Sequence, residues 1–382
     1  MYSLLRTAIL TGLIVLMTTQ SVLASARADE DRPLVQIALL LDTSNSMDGL
    51  IDQAKSQLWR IVNEVARSRC EGVHPRLEVA LYEYGNNRLQ ARDQWIRQVL
   101  AFNTDLDAIS EALFGLRTSG GEEYCGAVIN RSLQELDWSR RDSSLKLVYI
   151  AGNEPFTQGP TPYRRALRKA HRNDVIVNTI FCGNSEEGRR GSWKKAAQIA
   201  DGSYAVINQD RQVAHIPAPQ DEEIGRLGGA LNQTYVGYGV SGRVSVKRQK
   251  RQDKAARSVK QGASVARAVA KSGSAYKNSG WDLVDAMEEG EVDLGAISRP
   301  DLPAAMVGMS SAEKKTFVKG KSEERKKLQA KILQLNKERE KHIAKKKKEI
   351  QKKEKEKGIK TLDQALIEAL HTSGKSRGFT FE

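Results

Sequence analysis

The chain has 382 residues, 28% charged and 6% aromatic, with a formal net charge of +14. That length suits one good-sized domain with appendages, or two domains. Three cysteines, Cys70, Cys125 and Cys182, match no zinc spacing, so a zinc-stapled fold is excluded. Much of the excess basicity lies near the C-terminus, where it could attract anionic headgroups, surface polysaccharide or nucleic acid.

In chain order, Arg6, the apolar run Ala8 to Met17 and the small residues around Ala26 read as a signal peptide over 1–28. The expectation is therefore an exported protein, periplasmic or secreted, with no nucleic acid partner. Leu34 to Leu41 is an apolar run with β-branched Val35 and Ile37, too short to span a membrane, and reads as a strand buried on both faces. Asp42, Ser44 and Ser46 follow in alternation. A helix comes next, with Leu50, Ile51, Ala54, Leu58, Ile61, Val62 and Val65 on one stripe. Further strands are expected at Leu77 to Tyr84, Gln94 to Phe102, Leu145 to Ile150, Val175 to Phe181 and Gly202 to Asn208. Helices are expected after Thr104 as cap, from Gly126 through Leu136, over Thr161 to Arg172, from Ser192 to Ile199 and over Gln220 to Tyr235. Alternating strands and helices predict an α/β fold: a doubly wound, mostly parallel, six-stranded sheet with a basic helical C-terminal extension.

A carboxylate and two hydroxyls at the carboxyl end of a central strand sit where open α/β sheets bind ligands. Such hard oxygens suit Mg²⁺, Mn²⁺ or Ca²⁺. A plain helix cap would explain one such residue, not three in alternation. The segment Asp42-Thr-Ser-Asn-Ser46 and the order of elements over 33–238 resemble the von Willebrand factor type A (VWA) domain, whose metal-ion-dependent adhesion site opens with D-x-S-x-S. The resemblance implies strand order 3-2-1-4-5-6 with the third strand antiparallel. It also implies a Thr from a second loop and an Asp from a third. Counting back six from Ile129 gives Glu123 in place of the Thr, and Gly152 stands at the Asp position. Asn153 or Glu154 could substitute for that Asp. The expected metal set is Asp42, Ser44, Ser46, Glu123, Asn153 and Glu154, holding a divalent cation that an acidic group of a protein partner completes.

Cys125 and Cys182 are expected at one edge of the sheet, as a disulfide candidate or as two buried thiols. No catalytic residue is assigned: the five histidines are scattered, and a haloacid-dehalogenase phosphatase would need Asp where Ser44 stands. The expected function is metal-dependent protein or surface binding, without enzymatic activity. The alternatives are a metal-independent structural or assembly factor and a metal-dependent hydrolase. Residues 239–310 are expected to be a polar tether with a short docking island at Trp281 to Ala286. Residues 311–382 are expected to be a Lys/Glu-rich helical tail, whose Lys345 to Lys348 run could meet an anionic surface or polymer.

Overall fold

The computed structural model describes residues 32–208, 216–259, 261–353 and 362–381. The expected signal peptide lies outside these residues. They divide into two compact units.

The larger unit is built on a six-stranded sheet. Its strands are β1 (Leu34–Asp42), β2 (Arg76–Tyr84), β3 (Ile96–Asn103), β4 (Leu145–Gly152), β5 (Ile176–Cys182) and β6 (Tyr204–Ile207). They lie in the order β3-β2-β1-β4-β5-β6, parallel except for β3, as expected. All nine residues of β1 are buried, which is what a central parallel strand covered on both faces requires. The register sets Asp42 beside Tyr84 of β2, and Leu41 beside Ala151 of β4. The carboxylate of Asp42 is thereby placed between the ends of two neighbouring strands.

The helices of this unit include α1 (Asp48–Arg67), α2 (Leu106–Gly115), α3 (Cys125–Glu135), α4 (Tyr163–Arg172), α5 (Ser185–Arg190), α6 (Trp193–Ile199) and α7 (Asp221–Leu231). One face of the sheet packs Tyr82, Tyr84, Val148 and Ile150 against Val128, Ile129, Leu167 and Trp193 of α3, α4 and α6. The α2 cap is Asp105, not Thr104: its carboxylate accepts from the Asp107 and Ala108 amides. The α5 turn was not expected from the sequence.

Further helices lie beyond residue 238. Helices α8 (Gly239–Val259) and α9 (Gln261–Lys271) run where a partly helical tether was expected. Among the described residues, those within 248–276 and 329–381 belong to the same compact unit as the sheet. Arg267 of α9 is buried. It donates to Asp253 at 2.5 Å, to Asp107 at 2.6 Å and to the Gln249 carbonyl at 3.1 Å, and its guanidinium lies 4.5 Å from the Trp59 ring centre. Buried Lys271 reaches Asp253 at 3.4 Å. Burial works against the charge on Arg267, yet Asp107 and Asp253 hold its pKa above the ordinary arginine value.

The smaller unit comprises, among the described residues, Arg32, 230–247 and 277–328. It holds the short helix α10 (Leu283–Glu288) and a core of Val236, Leu283, Val284, Leu294, Met306 and Val318. The apolar island around Trp281 is part of this unit. Its buried Arg325 donates to Asp282 at 2.7 Å, to Asp285 at 2.8 Å and to the Thr234 carbonyl at 2.7 Å. Helix α11 (Ser311–Lys353) is 43 residues long. Helix α12 (Leu362–Lys375) lays Leu362, Leu366 and Leu370 into the larger unit, where Tyr149 donates to the Leu366 carbonyl. The described residues from 329 onward thus belong to the sheet's own unit.

Candidate functional site

Asp42 ends β1 with no solvent exposure. The chain turns at once, because Oδ1 accepts the Ser44 amide at 2.8 Å. Thr43 is buried and its amide bonds the Tyr84 carbonyl, which locks this turn to the end of β2. The turn places the Ser44 and Ser46 hydroxyls 3.1 Å apart, with Asn153 Nδ2 donating to Ser46 Oγ at 3.1 Å. Four of the six expected residues, Asp42, Ser44, Ser46 and Asn153, therefore stand together.

Glu123 approaches from the loop before α3. A side-chain carbon on Gly85 would lie 2.8 Å from Glu123 Cγ and 2.9 Å from Asp42 Oδ1, so both acids crowd the same point. Gly85 itself has φ +78, a left-handed conformation that favours glycine. Glu154 joins through Gln158, which accepts the Glu123 amide at 3.3 Å and donates to Glu154 Oε2 at 3.4 Å.

Burial pushes Asp42 up to about 7, with Glu154 adding to the rise against the bond from Ser44. Burial likewise pushes Glu123 up to about 7, helped by repulsion from Asp42 and Glu154. Asp42 Oδ2 is buried with no hydrogen-bond partner. An unpartnered buried oxygen beside two other carboxylates is an arrangement that a cation would relieve. Among the described residues, no group of three or more His, Cys, Asp and Glu is placed to hold a metal by itself. A cation here must also draw on the serine hydroxyls.

Sequence reasoning missed Tyr84, Gly85 and Gln158 as parts of this site. Gly152 explains why the third motif departs from the resembled pattern. A side-chain carbon there would lie 2.6 Å from the Tyr84 hydroxyl and 3.0 Å from Asp42 Oδ2. Tyr84, donating to the Ala151 carbonyl at 3.0 Å, fills the space an Asp would need. Two strands flanking β1, one ending in Tyr and the other in Gly, are the signal that could have suggested this.

The disulfide candidate is not formed: Cys70, Cys125 and Cys182 are all free and buried. Cys125 Sγ instead lies 3.8 Å from the Tyr84 hydroxyl. Burial raises the pKa of both Cys125 and Cys182 far above the ordinary thiol range.

No family model matches the chain. It is 25% identical over 214 residues to the uncharacterized protein YwmC of Bacillus subtilis (strain 168), covering 54% of this chain and 92% of that one. The VWA domain of SpRpn10 matches 49% of this chain and 90% of its own, at 16% identity and a TM-score of 0.35. The pilus adhesin SpaC from Lactobacillus rhamnosus GG matches 47% of this chain and 28% of its own, at 12% identity and a TM-score of 0.35.

Proposed function

We propose that this is an exported protein whose larger unit is a VWA-type domain binding a protein or surface partner through a divalent cation at Asp42, without catalysis. The observation that carries the reading is the unpartnered, fully buried Asp42 Oδ2 behind the paired hydroxyls of Ser44 and Ser46. When bound, the ion would supply a Lewis-acidic position open to an acidic group of the partner. Ser44, Ser46 and Asn153 would offer neutral oxygens, while Asp42, Glu123 and Glu154 would offset the ion's charge. Tyr84 would keep the floor of the site closed, and Gln158 would set the spacing of Glu123 and Glu154.

Terbium luminescence with competition by Mg²⁺, Mn²⁺ and Ca²⁺ tests the reading. Wild type should bind, and Asp42→Ala should bind at least about tenfold more weakly. Silence of the wild type at millimolar metal overturns it. One observation favours a second reading, a metal-independent assembly factor: Tyr84 occupies the space of the third-loop acid. Partner capture that EDTA leaves unchanged would select that reading.

A further inference from the structure

Helix α4 buries Tyr163, Ala166, Leu167 and Ala170 and turns Arg164, Arg165, Arg168 and Arg172 to solvent. Helix α6 packs beside it and exposes Lys194 and Lys195, while α5 exposes Arg189 and Arg190. Between residues 163 and 201, nine Lys and Arg stand against four Asp and Glu. Two of those four are already engaged: Asp174 with Lys146 and Arg377, and Asp201 with His171. Among the described residues, no carboxylate forms an ion pair with any of the nine cations, and Arg164 lies over its neighbour's Tyr163 ring instead.

A solvated helix normally interleaves both signs of charge, as α11 does. The α4–α6 face carries only Glu186 and Glu187, exposed on α5, as free acids against its nine cations, so its field is net positive. We propose that this face adsorbs to the phosphate headgroups of an anionic bilayer. Arginine dominates it, and the guanidinium fork matches phosphate oxygens. No large apolar side chain is exposed on it, which fits electrostatic adsorption without insertion. Its aromatics, Tyr163, Phe181 and Trp193, are buried, so it offers no platform for stacking unpaired bases.

The test is co-sedimentation of the full chain with phosphatidylcholine vesicles, plain or containing about 30% phosphatidylglycerol, at about 0.05 and 0.5 M NaCl. Wild type should partition to the anionic vesicles alone, and only at low salt. Joint substitution R164E, R165E, R168E and R172E should weaken partitioning at least about tenfold. The gentler Arg→Gln set, checked for native circular dichroism, should weaken it less. The set K345E, K346E and K348E on α11 should leave it unchanged. No partitioning of the wild type, or loss confined to the α11 set, overturns the proposal. Retention on polyphosphate or duplex DNA without vesicle binding also overturns it, in favour of a soluble polyanion.

Discussion

Two buried charged clusters lie in the larger unit, and they are built on opposite principles. Around Arg267 the charges balance: Asp107, Asp253 and Lys271 surround it, and each carboxylate has a cation at hydrogen-bonding distance or slightly beyond. Around Asp42 they do not. Asp42, Glu123 and Glu154 repel one another, and one oxygen has no partner. The first cluster resembles a clasp that joins α2, α8 and α9. The second is left with a charge that folding alone does not satisfy. Balanced burial reads as structure here, and unbalanced burial supports the proposed site, because an unpaired buried charge is costly unless something else answers it.

The largest effect should come from breaking the balanced cluster. Arg267→Met strips Asp107 of its cation in a dry interior and leaves Asp253 with Lys271 alone, and should cost about 3–5 kcal/mol of stability. Chemical denaturation with a checked m-value measures it. A loss under about 1 kcal/mol would mean water reaches Asp107, and the contrast with Asp42 would dissolve.

The unbalanced cluster should respond with the opposite sign. In EDTA at about pH 8, Asp42→Asn removes an uncompensated buried charge and should stabilise the fold by about 1–3 kcal/mol. The pH dependence has a definite direction. Asp42 and Glu123 rise from 3.8 and 4.5 to about 7 in the folded chain. Between about pH 4 and pH 7 the folded state therefore keeps protons that the unfolded chain has released. The contribution of these groups to stability is present below that window and falls as pH rises through it. Melting temperatures from pH 5 to pH 8 should fall less steeply in Asp42→Asn than in wild type. Equal slopes would show that Asp42 titrates at its ordinary value.

The sequence made the unbalanced cluster partly visible and hid the balanced one. Asp42, Ser44 and Ser46 alternate within five residues at and just beyond a strand end, so their grouping follows from local geometry. Glu123 was reached only by counting from Ile129, and Gln158 not at all, because it acts through loops closed by the sheet. The strands were legible from their largely apolar, β-branched content, while their order followed only from the resemblance to the VWA domain and not from the runs themselves. Helices α8 and α9 read as a polar tether because α8 buries Ser245, Gln249 and Gln252 beside Ala256, and α9 buries mostly alanine, at Ala263, Ala266, Ala268 and Ala270. Small residues bring helices close but leave a weak hydrophobic signal, and Arg267 and Lys271 look like solvent residues until Asp107 is beside them. The same blindness set 311–382 apart as a tail, although Leu362 and Leu366 are buried in the larger unit.

The smallest effect tests whether the floor of the Asp42 site is dry. Cys125 and Cys182 lie close enough for Asp42 to raise their pKa values further, after burial has done most of the work. In native protein at about pH 8, iodoacetamide should leave both unmodified, since only the thiolate reacts, and denaturant should expose all three thiols to labelling. Mass spectrometry of the modified peptides reads this directly. Native alkylation at the rate of a free cysteine would mean that water penetrates behind Tyr84. Asp42 would then be solvated like any surface acid, and its lone oxygen would no longer call for a cation. If the thiols stay silent, the dielectric that raises them is the one that raises Asp42, and the contrast with the Arg267 cluster stands on a common environment.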